Sequence, residues 1–307
     1  MPTNKAEELF NVNGMVAVVT GGGSGLGLYA ARALDANGAK AVYIVGRREE
    51  TLQNAAKTAA NGNIIPIVGD VSDKESLQAV TDRVRKEHGY INLLFANAGV
   101  SGPSTVRDTP ALSKGEKPTI KEMQEGLLKP EMQAFTQAYH VNVTGVYFTA
   151  AAFLDLLDAG NKRRNLPQDS QILVTSSVAG FSRFLNNGFA YSCSKAGTNH
   201  LVKMLATAFA QNGFHIRCNL IAPGLYPSEM TANTVSKLGQ FKPHDGHESD
   251  FADAHTMPPE RCPTERTGSE QDFAGTVLFM ASKAGSYLNG ETLVSDGGRL
   301  AQLPATY

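Results

Sequence analysis

Eight residues constrain this chain more than any others: Thr20-Gly21-Gly22-Gly23-Ser24-Gly25-Leu26-Gly27, set between the apolar run Met15 to Thr20 and a segment of helical period, Gly25 to Asn37. Five of the chain's 30 glycines fall here. Without a Cβ, glycine lets the backbone turn tightly and lets another group come close to it. A helix that begins at once after such a turn offers unpaired N–H groups and the positive end of its dipole, a setting that favours an anion such as a pyrophosphate. Strand, glycine turn and helix in this order open a nucleotide-binding βαβ unit, with Gly21, Ser24, Gly25, Leu26 and Gly27 as the expected cradle.

The same alternation continues along the chain. Short apolar runs at Ala41 to Val45, Ile64 to Val68, Ile91 to Ala96, Gln171 to Thr175, His215 to Ile221 and Glu291 to Val294 read as further strands. Between them Glu49 to Ala60, Asp73 to His88, Pro130 to Ala159, Tyr191 to Gln211 and Ser269 to Ser282 read as helices, with Asp73 and Ser269 as start signals. This pattern predicts a doubly wound, Rossmann-type α/β fold of about seven parallel strands with helices on both faces. The length of 307 residues exceeds the ~250 typical of one large α/β domain, yet residues 1–307 are read as a single domain. The surplus sits in residues 100–129 and 225–268, both proline-rich and both after strand carboxyl ends, where open α/β sheets bind ligands. These insertions are the expected substrate side.

Composition removes other classes. With 42% apolar and 19% charged residues and a net charge of −1, the chain can bury a core and has no basic face for nucleic acid. No apolar run nears the ~20 residues of a membrane helix and no secretory signal opens the chain, so a cytoplasmic protein without a membrane partner is expected. Cys193, Cys218 and Cys262 read as reduced thiols. The run Pro243 to Asp250, with Asp253 and His255, contains possible metal ligands on no regular element, and no metal site is expected.

About twenty residues after Gly25, where an acid would bind a ribose 2′-hydroxyl, stand Arg47 and Arg48. Guanidinium groups there suit a 2′-phosphate, which favours NADP(H) over NAD(H). Asp70, with Val71 beside it at the end of the third strand, could accept from the adenine amino group, or could serve as a turn aspartate.

Tyr191 and Lys195 lie four apart at a predicted helix start, hence on one face. Lowering a phenol pKa by ~3 units takes ~4 kcal/mol, which an ammonium at ~4 Å can supply, so the tyrosine could act as an acid or base near neutrality. The preceding strand ends in Ser176-Ser177, and a hydroxyl there could polarise a carbonyl.

Taken with Ala96-Asn97-Ala98-Gly99, Asn142, Pro223-Gly224 and Asp296-Gly297-Gly298, these motifs resemble the short-chain dehydrogenase/reductases over nearly the whole chain. The resemblance implies reduction of a ketone, or oxidation of a secondary alcohol, by hydride transfer on a small apolar molecule. It implies that Tyr191 moves the proton, that Lys195 holds the nicotinamide ribose, that Ser177 holds the substrate oxygen, and that Asn142 positions a water behind the lysine. Asn97, Ala98, Gly99, Pro223, Gly224, Tyr226 and Ser228 would line the cofactor. The Ser177–Tyr191 spacing looks one residue long, which leaves Ser176 as the alternative serine. Homodimers or homotetramers through the Asn142 and Tyr191 helices are also implied. Residues 157–163 and the two insertions resemble filamentous-fungal reductases of secondary metabolism. Two other uses of the same pocket stay open: non-redox dehydration or cyclisation, and dinucleotide sensing without catalysis.

Overall fold

The computed structural model describes residues 4–103, 116–184, 188–243, 251 and 253–306. Seven strands, β1 Val16–Thr20, β2 Ala41–Gly46, β3 Ile64–Val68, β4 Leu93–Ala96, β5 Gln171–Thr175, β6 Arg217–Pro223 and β7 Thr292–Ser295, form one sheet in the order β3-β2-β1-β4-β5-β6-β7. Every neighbouring pair is parallel. β1, β4, β5 and β6 are buried along their whole length, as strands covered on both faces must be. β3 lies at an edge and carries Pro66, which has no N–H to give to a further strand.

Alternate β1 residues feed opposite layers. Val16 and Val18 join Tyr43, Val80, Phe153 and Val202 on one face; Ala17 and Val19 join Ile44, Leu34, Phe95 and Phe273 on the other. Helices Lys74–Glu87, Leu154–Arg163 and Phe189–Gln211 cover the first face, and Gly25–Ala36, Glu49–Ala56 and Glu270–Ala281 the second. Asp73 accepts from the N–H groups of Glu75 and Ser76, and Ser269 forms a reciprocal capping box with Asp272, so both expected start signals act. The strand order reverses between β1 and β4, opening a crevice at their carboxyl ends.

The long helix expected over Pro130 to Ala159 is four pieces. Met132–Tyr139 runs into a π-helical turn, His140–Gly145, then Val146–Ala152, and after a break at Phe153 into Leu154–Arg163. Apolar periodicity alone could not separate these, because one extra residue per turn leaves the sequence looking helical. In the first insertion, Ile120–Leu128 forms a helix with a Thr119/Glu122 capping box and buries none of its residues. In the second, Glu229–Thr231 and Ala232–Val235 make short helical turns. The histidine-rich run from His244 to Asp250 lies outside the described residues. Among the described residues no single helix is long and apolar enough to cross a membrane.

Candidate active site

A cleft of about 680 Å³ runs along the carboxyl edge of the sheet, within the size range of small-molecule and cofactor sites. It begins at the glycine turn. Gly21 and Gly25 hold φ of +65° and +52°, which side-chain-bearing residues rarely adopt. A Cβ on Gly27 would lie 2.9 Å from the Gly21 carbonyl carbon and nearer still to its oxygen, so Gly27 lets the helix seat on the turn without itself lining the cleft. Ser24 occupies the N-cap position but makes no side-chain capping bond, and the first-turn N–H groups remain available to a ligand.

Asn97 braces this turn. Its amide donates to the carbonyls of Thr20 (3.1 Å) and Gly21 (3.3 Å), and its Oδ1 accepts from the Thr175 hydroxyl (2.9 Å). The Thr20 hydroxyl in turn accepts from the N–H groups of Asn97 and Ala98. Three strands are thereby tied at the point where the crevice opens.

At one end of the cleft stand Arg47, Arg48, Asp70 and Val71. Arg47 is exposed and makes no hydrogen bond to a described residue, while Arg48 Nη2 donates to Glu229 Oε2 at 2.6 Å. Burial would raise the Asp70 carboxyl, but the Ser72 hydroxyl and N–H, with the charges of Arg47 and His140, outweigh it and hold the group below its ordinary range. Asp70 is thus an anion whose turn already uses one oxygen.

At the other end are Ser177, Tyr191 and Lys195, all buried. The Ser177 hydroxyl accepts from Ala179 N–H (3.1 Å) and lies beside the Tyr191 phenol, close enough to influence its ionisation. Ser176 also borders the cleft, but its hydroxyl is spent on Asn199 and the Lys195 carbonyl. The ammonium of Lys195 donates to the Thr175 carbonyl at 2.8 Å and lies 5.8 Å from the centre of the tyrosine ring. Burial pushes Lys195 down to about 8. It pushes the Tyr191 phenol up, against a smaller opposing effect of the neighbouring Ser177 hydroxyl. This direction is opposite to the lowering expected from the Tyr191/Lys195 spacing. Spacing fixed the shared helix face but carried no information on burial, and desolvation is the larger influence.

Asn142 sits in the π turn, outside the lining of the cleft. Its amide donates to the Val100 carbonyl (3.0 Å) and the Ser194 hydroxyl (2.9 Å), its Oδ1 accepts from Val100 N–H, and its carbonyl accepts from the Thr198 hydroxyl (2.8 Å). Both the amide nitrogen and Oδ1 have partners, which hold the side chain in one orientation. Sequence reasoning missed Ser194 and Thr198, although their spacing from Tyr191 and Lys195 along one helix was a usable signal. It also missed Glu229 and Thr231, for which no signal existed. Pro223, Gly224, Tyr226 and Ser228 line the cleft, with the Tyr226 ring turned away against Phe273 and its hydroxyl on Ser295. Ser228 shares a hydrogen bond with the Thr231 hydroxyl at 3.0 Å.

The family model described as short chain dehydrogenase matches residues 15–239. The short-chain dehydrogenase/reductase PhomF of Diaporthe leptostromiformis is 46% identical, over 100% of this chain and 98% of its own length. VdtF of Byssochlamys spectabilis, also described as a short-chain dehydrogenase/reductase, is 38% identical over 98% of both chains. Among solved structures, the RhlG/NADP active-site complex of Pseudomonas aeruginosa superposes with a TM-score of 0.75 at 27% identity, covering 95% of this chain and 98% of that one.

Proposed function

The chain belongs to the short-chain dehydrogenase family, an oxidoreductase family whose members bind a nicotinamide dinucleotide, and from that premise we propose that it is an NADPH-dependent reductase of ketones. The substrate is a small, largely apolar carbonyl compound, and the same residues serve secondary-alcohol oxidation in reverse. The observation that carries the proposal is the meeting of Ser177, Tyr191 and Lys195 at one end of a cleft whose other end holds an exposed Arg47 with no hydrogen bond to a described residue. That the RhlG complex contains NADP supports the same cofactor here.

The cleft fits such a cofactor: its volume is sufficient, the glycine turn holds a positive-φ backbone that side-chain-bearing residues rarely adopt, and no side chain caps the first-turn N–H groups. Gly21, Ser24, Gly25 and Leu26 would hold the pyrophosphate, Asp70 and Val71 the adenine, and Arg47 and Arg48 the 2′-phosphate. Ala98, Gly99, Pro223, Gly224, Tyr226 and Ser228 would flank the nicotinamide half. When bound, the cofactor supplies a hydride to the carbonyl carbon.

The residues do the rest. Ser177 and Tyr191 lie side by side on the cleft, so both hydroxyls can converge on one carbonyl oxygen and stabilise the charge it gains. Tyr191 then gives up its proton as general acid. A phenol raised by burial is fully protonated at neutral pH, which suits donation in the reductive direction. Lys195 keeps a cation beside the phenolate left behind, and the network of Asn142, Ser194 and Val100 fixes the wall behind it. The helices carrying Asn142 and Tyr191 leave Tyr147 and Met204 exposed, in keeping with a homodimer or homotetramer formed there.

Replacing Tyr191 by Phe tests the proposal. Ketone-dependent NADPH oxidation should fall by roughly 10²–10⁴-fold while NADPH affinity changes little. Undiminished turnover would reject it.

A further inference from the structure

The two arginines at the adenosine end are not equivalent, and the difference lies in the loop after β6. That loop is folded onto the glycine turn: the Tyr29 hydroxyl donates to the Pro227 carbonyl at 3.1 Å, and a Cβ on Gly25 would stand 2.9 Å from the Ser228 Cβ. Thr231 ties the loop internally, donating to the Tyr226 carbonyl at 2.6 Å. The tip reaches across the cleft, where the Glu229 carboxylate takes the Arg48 guanidinium. Arg48 is the sole hydrogen-bond partner of that carboxylate among the described residues, and Arg47 beside it has no hydrogen bond to a described residue.

Resting on the NADP(H) assignment above, we infer that Glu229 is a built-in competitor for the 2′-phosphate, so that Arg48 can serve the phosphate only by releasing Glu229 and with it the tip of the loop. A guanidinium fork accepts a carboxylate or a phosphate in the same way, and the two anions repel each other across a shared cation. A dinucleotide without the 2′-phosphate leaves the Arg48–Glu229 pair in place. Arg47 then provides first capture, and Arg48 couples the identity of the cofactor to freedom of the Ser228–Thr231 segment. Both partners are more than half exposed, with 61% and 57% of their side-chain surface open, so the competition is weak, about two- to fivefold in affinity.

The test uses ligands that cannot turn over. Calorimetric titration of the full chain with adenosine 2′,5′-bisphosphate and with 5′-AMP should show the wild type preferring the bisphosphate. Glu229→Gln should tighten the bisphosphate two- to fivefold and leave 5′-AMP unchanged, and the gain should vanish when Arg48→Ala is added. A bisphosphate preference that Glu229→Gln fails to strengthen would overturn the competitor role and leave the NADP(H) assignment standing. Equal binding of the two ligands by the wild type would overturn that assignment, and the competitor with it.

Discussion

At the β1 end of the cleft, Thr20, Gly21, Asn97 and Thr175 hold three fully buried strands together through hydrogen bonds, whereas the helix Ile120–Leu128, after the carboxyl end of β4, buries nothing and leaves Ile120 88% exposed. The first region is specified by the backbone, since its carbonyls and N–H groups have partners fixed by sheet geometry. The other depends on surfaces outside its own element.

The contrast can be broken by substitutions of similar size in the two regions. Gly27→Ala should do the most damage: its methyl meets the Gly21 backbone, so the helix must move off the turn, at a cost of order 1–3 kcal/mol in stability and with dinucleotide binding lost. Leu128→Ser on the exposed helix should leave both melting temperature and cofactor affinity unchanged, and equal losses from the two would erase the distinction. Arg47→Ala comes next. Charge-assisted hydrogen bonds of ~1.5–3 kcal/mol predict a roughly ten- to hundredfold weaker NADPH and little change for NADH by fluorescence titration. Equal weakening of both would remove the phosphate role.

The pH profile should show the smallest effect. Lys195, pushed by burial to about 8, loses its proton as pH rises through that value, so the cation beside the tyrosine is present below it and absent above. The turnover number for ketone reduction should fall about tenfold between pH 7 and 9, a change that a flat profile would contradict.

The sheet was legible because its signals are local. Each strand is a short apolar run, and each predicted end lies within about two residues of the observed one. The glycine turn was legible for the same reason, as were Tyr191 and Lys195, which share a helix face through spacing alone. Ser176 and Ser177 were not separable in sequence: they are adjacent, and only the position of Asn199 on the neighbouring helix takes up one of the two hydroxyls. The ionisation of Tyr191 was misjudged because it depends on how much chain covers the phenol. The Arg48–Glu229 pair spans 181 positions, between a strand end and an irregular loop, and nothing in either neighbourhood marks the other.

The π turn at His140–Gly145 makes the position of Asn142 a matter of counting. A turn holding one residue more than an α turn sets the helix before it and the helix after it out of phase by about 100°. A substitution in those six residues changes a side chain, and its neighbours can adjust. A deletion is a rotation: it would rephase Met132–Tyr139 against Val146–Ala152 and turn the Asn142 amide away from both Val100 and Ser194. Chain length in this one turn is therefore as much a part of the site as any side chain in it.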